Sequence, residues 1–464
     1  MTTAKEQLMH KVIPLLIAAA LAGCSMAPKY ERPAAPVPQQ IGSAQTGELN
    51  MPEWKTYFGD SDLQTVITRA LENNRDLRVA VGRVEEARAQ YGITRADRLP
   101  SFNAAGGGST SRIPESLSQT GQSTISRRYD ANLSLLSYEL DFWGRVKSLS
   151  DAALSSYLGT VEAERSARLS LIASVASSYY SARALAEQAD FARKTQISRE
   201  ENLKLVTGKV ATGSASRLDL LQAESLVDSA RVSTTDLERQ AETARNALNL
   251  LVGEQVQLPE VSGKGLKELP VAPRLPAGID SNVLLNRPDV LSAEASLRSA
   301  NANIGAARAA FFPKITLAGS AGTASNELSD LFSNGTGAWS FVPSISLPIF
   351  NGGRNIANLD LAKVRKNIAI AQYEKAIQQA FQDVANVLAD QRWLTEQLTH
   401  QEQLAARQAE RLKLAEARYK SGIAGYLDVL DAQREHYSAE QALIGTRRAQ
   451  LAAAAQAYKV LGGI

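Results

Sequence analysis

Ala338-Trp339-Ser340-Phe341-Val342-Pro343-Ser344-Ile345-Ser346-Leu347-Pro348-Ile349 is the stretch on which the fold turns. Trp339, Phe341, Pro343, Ile345, Leu347 and Ile349 alternate with Ala338, Ser340, Val342, Ser344 and Ser346. Successive side chains of a strand point to opposite faces, so this segment presents one apolar face and one small or polar face. An earlier segment does the same: Tyr129, Ala131, Leu133 and Leu135 stand against Asp130, Asn132 and Ser134, and the phase then slips near Leu136. Each has a weaker, glycine-rich companion, Ser101 to Arg112 and Lys314 to Ser325. A strand of about ten residues suits a tilted membrane crossing.

Four strands do not close a transmembrane barrel, because free edges in lipid leave backbone groups unsatisfied. Chains must pool their strands. Two chains give eight strands and a filled interior, whereas three give twelve and room for a conduit. The competing reading is a pair of hairpins packed on a soluble core.

The strand pairs belong to an internal duplication, the signal to seek before local structure. Ala89 to Ala96, ending in Pro100, answers Ala302 to Ala309, ending in Pro313; Gly92 pairs with Gly305, Arg95 with Arg308, Asp76 with Asp289 and Leu71 with Leu284. Further on, Gly144-Arg145 matches Gly353-Arg354, Gly213 matches Gly422, Leu218-Asp219 matches Leu427-Asp428, and Gly253 matches Gly462. The change of register falls between Pro100 and Gly144, where the first copy has the longer loop. Each copy reads as a helix (Leu63 to about Leu99; Asn282 to about Phe312), two strands, one long helix, a tight turn and a shorter returning helix. The long helices, Arg145 to about Val210 and Arg354 to about Tyr419, extend about 95 to 100 Å at roughly 1.5 Å per residue. Leu430, Tyr437, Ile444, Leu451 and Tyr458 recur every seven residues, as do Leu220, Val227, Thr234, Ala241 and Leu248, so coiled-coil packing is implied. The expected organisation is residues 1–23 as a signal peptide, 24–58 as a tether, 59–254 as the first repeat, 255–280 as a linker and 281–462 as the second repeat.

At the N-terminus, Lys5 and Lys11 precede an apolar run from Val12 to Ala22, too short to span a bilayer as a mature helix. The run closes on Leu21-Ala22-Gly23-Cys24, which resembles the lipobox of bacterial lipoproteins. That resemblance makes Cys24 the acylated first residue of the mature protein, and Ser25 after it, rather than Asp, favours the outer membrane. Pro28, Pro33, Pro36 and Pro38 suit an extended tether.

Composition removes other classes. Fifty-one Lys and Arg against 48 Asp and Glu give a net charge of +3, no broad attraction for nucleic acid. One cysteine and three histidines, His10, His400 and His436, supply neither a disulfide framework nor a Cys/His metal site. No nucleophile has an evident base and no phosphate-cradling motif occurs, so no enzyme is expected and no cofactor beyond the lipid on Cys24. Downstream of Cys24 the methionines are Met26 and Met51, so no methionine relay marks a copper or silver cargo.

Trp54 to Leu77 with Asn73-Asn74-Arg75-Asp76-Leu77, Arg287-Pro288-Asp289-Val290, Ala300 to Pro313 and Gly352-Gly353-Arg354 resemble the TolC-type outer-membrane efflux channel family, in its lipoprotein branch serving resistance-nodulation-division pumps. The resemblance covers nearly the whole chain from Cys24 onward. It implies a mainly α fold with a membrane β-barrel: a homotrimer with twelve pooled strands and a periplasmic α-barrel of twelve helices. It also implies an inner-membrane pump and a periplasmic adaptor as partners. The turns at Gly213 and Gly422 fall at the family's periplasmic entrance, and Asp428-Val429-Leu430-Asp431-Ala432 resembles the segment that forms inward aspartate rings there. Tyr419 matches a tyrosine that bonds across to an aspartate, here Asp219, while Ala424 replaces the basic residue that accompanies it in some members. The plainer reading makes Asp428 and Asp431 solvated carboxylates near a helix start. Two other functions share parts of the pattern: a duct for type I protein secretion, since fold does not set cargo, and a structural lipoprotein with coiled-coil arms.

Overall fold

The computed structural model describes residues 25–42, 51–118, 121–258 and 265–461. Cys24, the expected lipid site, lies outside the described residues. The elements run in chain order as β1 (Gln40–Gly42), α1 (Trp54–Tyr57), α2 (Ser61–Asn73), α3 (Arg75–Ala96), β2 (Phe102–Ile113) and β3 (Thr124–Leu140), then α4 (Arg145–Ala211) and α5 (Arg217–Val252). The second half repeats this with β4 (Gly278–Asp280), α6 (Pro288–Ala309), β5 (Lys314–Ser325), β6 (Gly337–Ser346), α7 (Arg354–Lys420) and α8 (Tyr426–Leu461). Helices α4 and α7 each run 67 residues without a break, and α5 and α8 are 36 residues each. The duplication is therefore carried to equal helix lengths. Among the described residues no helix is long and apolar enough to cross a membrane.

One reading needs correction. The single helix expected from Leu63 to Leu99 is two helices, broken at Asn74, whose backbone is extended (φ −59°, ψ 129°). Asn74 stabilises the break with its own amide: Oδ1 accepts from Leu77 N at 2.8 Å and Nδ2 donates to Leu251 O at 2.8 Å. The second copy breaks at the equivalent place, where a 3-10 turn (Ser281–Asn286) ends at Arg287 before Pro288 opens α6.

Contacts divide the chain into two units. The first takes in residues up to Ala34, Val84–Thr160 and Ala293–Tyr373, and it holds the four-stranded sheet. The second takes in Ala35–Arg83, Val161–Ser292 and the chain from Glu374 on. Its main core joins Leu63, Ile67, Val175, Tyr179, Leu248, Val252, Leu451 and Tyr458. Four of the five heptad residues of α8, Leu430, Ile444, Leu451 and Tyr458, are buried, as are Leu220, Val227, Thr234 and Leu248 of α5; Tyr437 and Ala241 are half-buried. The seven-residue lines are thus the seams along which the helices pack. A short antiparallel ribbon, β1 on β4, pairs Gln40 with Asp280 and Gly42 with Gly278.

Candidate functional site

The sheet of the first unit is antiparallel with strand order β2-β3-β5-β6. Its register stacks the alternating residues into continuous rows. On one face lie Phe102, Leu135, Gly319 and Phe341, then Ala104, Leu133, Ala321 and Trp339. On the other lie Asn103, Ser134, Ser320 and Ser340, and further along Glu139, Thr316 and Ser344. Hydroxyls pair across that second face, Ser320 with Ser340 at 2.8 Å and Thr316 with Ser344 at 2.6 Å.

The phase slip near Leu136 has a geometric cause. Between Leu135, opposite Gly319, and Tyr138, opposite Leu317, β3 carries one residue more than β5, a β-bulge. The extra residue returns Tyr138 and Leu140 to the face already occupied by Leu133 and Leu135. The apolar face therefore runs unbroken from Tyr129 to Leu140 of β3 although the sequence alternation does not. Apolar side chains on this face stand open to the surroundings: Trp339 is 81% exposed and Ile345 69%. An exposed apolar face this wide requires a non-aqueous neighbour.

Gly322 shows how tightly the strands approach. A Cβ there would lie 2.1 Å from the Ala131 carbonyl oxygen and 2.5 Å from Asn132 Cα. Where strands hand over to helices, Glu139 on β3 accepts from Arg145 Nη2 at 2.7 Å and pairs with Lys314 Nζ at 3.2 Å. Trp143 stacks on Phe312 (4.7 Å) and donates its indole N–H to Pro313 O at 2.9 Å. Gly144 and Gly353, the paired glycines of the repeat, supply positive φ at these corners (68° and 80°).

The segment after Cys24 is also seated in this unit, on α6. Glu294, almost fully buried, accepts from Tyr30 Oη at 3.0 Å, from Arg32 Nε at 3.1 Å and Nη2 at 2.6 Å, and from Arg298 Nη2 at 2.8 Å. Asn301 Nδ2 donates to Pro28 O and Arg308 Nη1 to Met26 O, at 2.8 and 3.2 Å. Gly305 leaves the space that Ala27 fills: a Cβ there would lie 2.7 Å from Ala27 N. Burial pulls the Glu294 carboxyl upward, but the donors from Arg32, Arg298 and Tyr30 outweigh it and hold it below the ordinary carboxylate range. Burial, reinforced by the Glu294 contact, pushes the Tyr30 hydroxyl up to about 12. Nothing in the sequence marked this cluster, since Tyr30 and Arg32 lie more than 260 residues from Glu294.

The four residues expected at the entrance lie in the second unit at the two helix turns. Both turns are Schellman caps built alike. Gly213 (φ 72°) and Gly422 (φ 73°) take the left-handed position, Ser214 N donates to Lys209 O at 2.8 Å, and Ile423 N to Arg418 O at 2.9 Å. Val206, Leu220, Ala223, Tyr426, Val429 and Leu430 form the apolar cluster that ties the two hairpins. Tyr419 packs at its edge, 5.3 Å from the Tyr426 ring and with Lys209 Nζ 3.9 Å above its face.

Asp219 is engaged locally. Its carboxylate accepts from Ser216 N at 2.9 Å and Ser216 Oγ at 2.7 Å, while Ser216 Oγ accepts from Asp219 N, a capping box opening α5. These bonds from Ser216 hold the Asp219 carboxyl below its ordinary value. Among the described residues no hydrogen bond joins Tyr419 to Asp219. Asp431 is ion-paired with Arg411 of α7, and Asp428 stands exposed in the first turn of α8. Sequence reasoning missed Arg411. It also missed Tyr426, which is buried, accepts from Asn202 Nδ2 at 3.1 Å and has its hydroxyl pushed up to about 12 by that burial.

Comparison with known proteins agrees with this construction. The family model described as outer membrane efflux protein matches residues 66–254 and 280–463. The chain is similar to the cation efflux system protein CusC of Escherichia coli strain K12, 41% identical over 459 residues, with 98% of this chain and 99% of that protein covered. It is also similar to outer membrane protein OprJ of Pseudomonas aeruginosa, 44% identical over 460 residues, with 97% and 95% covered. Its fold matches the crystal structure of the open state of the Neisseria gonorrhoeae MtrE outer membrane channel, with a TM-score of 0.85, 42% identity, and 95% of this chain and 98% of that one covered. Two helix-strand-strand-helix-helix repeats, a sheet with one apolar face and relatives matched end to end place this chain in the family of outer membrane efflux proteins.

Proposed function

We propose that three copies of the chain pool their sheets into a twelve-stranded barrel in the outer membrane and continue it with their helices into the periplasm. The assembly is the passive outer duct of a tripartite efflux system, docked through a periplasmic adaptor to an inner-membrane resistance-nodulation-division pump that supplies the energy. The observation that carries this reading is the open sheet: among the described residues β2 and β6 each lack an outer strand partner, while the face they share carries Phe102, Leu133, Leu135, Phe341 and Trp339. In lipid such edges must be paired, and a symmetric ring of sheets pairs them. Relatives named for solvent, antibiotic and cation efflux favour an efflux duct over a protein-secretion duct.

Cys24 carries the lipid, and the strap of residues 26–32 on α6 leads from it to the body. The two turn regions form the periplasmic entrance, which Asp428 and Asp431 line. Tyr419 and Asp219 tie the hairpins when the entrance is shut, a contact in which Asp219 shares its carboxylate with Ser216. Crosslinking in detergent stops at three chains, and the purified assembly conducts ions in a planar bilayer; a dominant monomer or dimer without conductance overturns the reading. Cys24→Ser abolishes labelling by radioactive palmitate, and undiminished labelling removes the lipid assignment.

A further inference from the structure

The duplicated hairpins treat their acidic residues differently, and the difference lies in three paired positions of the repeat, 209 residues apart. Ser216, which holds Asp219, is answered by Gly425, so Asp428, the counterpart of Asp219, has no hydroxyl to hold it. Asn202, which donates to Tyr426, is answered by Arg411, and Gln222 by Asp431, so only the second hairpin carries an ion pair there. Among the described residues the Asp428 side chain has no ion pair. We infer that Arg411 neutralises Asp431 at the entrance and leaves Asp428 as the carboxylate that sets cation preference. This inference rests on the entrance reading above.

Passing ions respond to the net field of the charges at the opening. A carboxylate in direct contact with a guanidinium acts at a distance as a small dipole, whose potential falls faster than that of a lone charge. A trimer then presents three net negative charges at its opening, where the sequence alone suggests six. Both partners are about half exposed (49% and 51% of the side chain), so the pair adds little stability; its effect is on the ions that pass.

Single-channel recording of the full-length protein in planar bilayers tests this, reading the cation-to-anion permeability ratio and half-blocking Mg²⁺ concentration. Arg411→Gln unmasks Asp431 and raises both cation preference and Mg²⁺ affinity by about threefold or more. Asp428→Asn lowers both by a similar factor. Removing the pair together, Arg411→Gln with Asp431→Asn, leaves both within about twofold of the parent, because the net charge is unchanged. If Arg411→Gln has no effect, or if the double variant falls as far as Asp428→Asn, the pair does not neutralise Asp431 and the inference fails while the entrance assignment stands. If every variant matches the parent in conductance, selectivity and block, the entrance assignment itself fails.

Discussion

Replacing Glu294 with Ala releases the strap of residues 26–32 from α6. The carboxylate is 3% exposed and receives donors from Tyr30, Arg32 and Arg298. Hydrogen bonds to a charged group are worth about 1.5 to 3 kcal/mol each, and orphaning the partner of a fully buried pair costs about 3 to 5. Here the arginine side chains are 42% and 53% exposed, so water takes up part of their charge. The discounted loss is about 2 to 3 kcal/mol, which raises the population of the undocked strap about 30-fold or more at 1.4 kcal/mol per decade. Lys29 is exposed and is followed by Tyr30, whereas Arg32 precedes Pro33, so trypsin reports through the Lys29–Tyr30 bond. Cleavage there, measured by the appearance of a Tyr30 N-terminus in mass spectra, accelerates by that factor when the protease samples the open strap. The pH dependence has a definite sign: a carboxyl held below its ordinary value in the folded state contributes stability that is complete above about pH 4.3 and is lost as pH falls through the lowered value. Hydrogen exchange of the amides of 26–32, corrected for intrinsic rates, therefore rises in the parent only below the ordinary carboxylate range, and in Glu294→Ala is high throughout. Equal cleavage rates in parent and variant would refute the claim that Glu294 holds the strap.

Three further outcomes can be measured, two from local geometry and the third from the proposed tie between the hairpins. Gly322→Val places a side chain against the Ala131 carbonyl and the Asn132 backbone, so SDS-resistant oligomer is lost in unheated gels; retention of the band shows that the strands do not approach as described. Ser216→Ala removes the capping box of α5 at about 1 kcal/mol, read as roughly fivefold faster hydrogen exchange in the first turn of that helix, with no change in the second hairpin. Tyr419→Phe combined with Asp219→Ala raises single-channel conductance if those residues tie the hairpins, and unchanged conductance removes the tie while leaving the channel intact.

What the sequence made legible was whatever depends on period or repetition. Strand alternation exposed the two-faced sheet, and the seven-residue lines marked the packing seams of α5 and α8, because both follow from the pitch of the backbone. The slip at Leu136 looked like a defect in the pattern; it is the bulge that keeps Tyr138 and Leu140 on the apolar face. Contacts between distant segments left no such trace. Tyr30 and Arg32 meet Glu294 across more than 260 residues, and no period predicts which buried carboxylate a tether will find. Asn74 was readable in principle, since an Asn at the start of a helical run with an acidic residue, Asp76, in its first turn is a capping signal, yet the continuous helical composition on either side concealed it.

The repeat also separates scaffold from function in a way that either copy alone does not. Positions that agree between copies do backbone work: Gly213 and Gly422 close equivalent turns, and Gly144 and Gly353 turn strand into helix. Positions that disagree at the same turns redistribute charge. A serine that caps in the first copy is a glycine in the second, an asparagine becomes an arginine, and a glutamine becomes an aspartate. The backbone geometry tolerates all three exchanges, because Schellman turns and the apolar cluster of Val206, Leu220, Tyr426 and Leu430 hold the hairpins without them. Duplication of one supersecondary unit therefore supplies the strand wall and helix lengths twice over, while unequal charges at otherwise equal turns give the two hairpins a difference in charge that a strictly repeated sequence would lack.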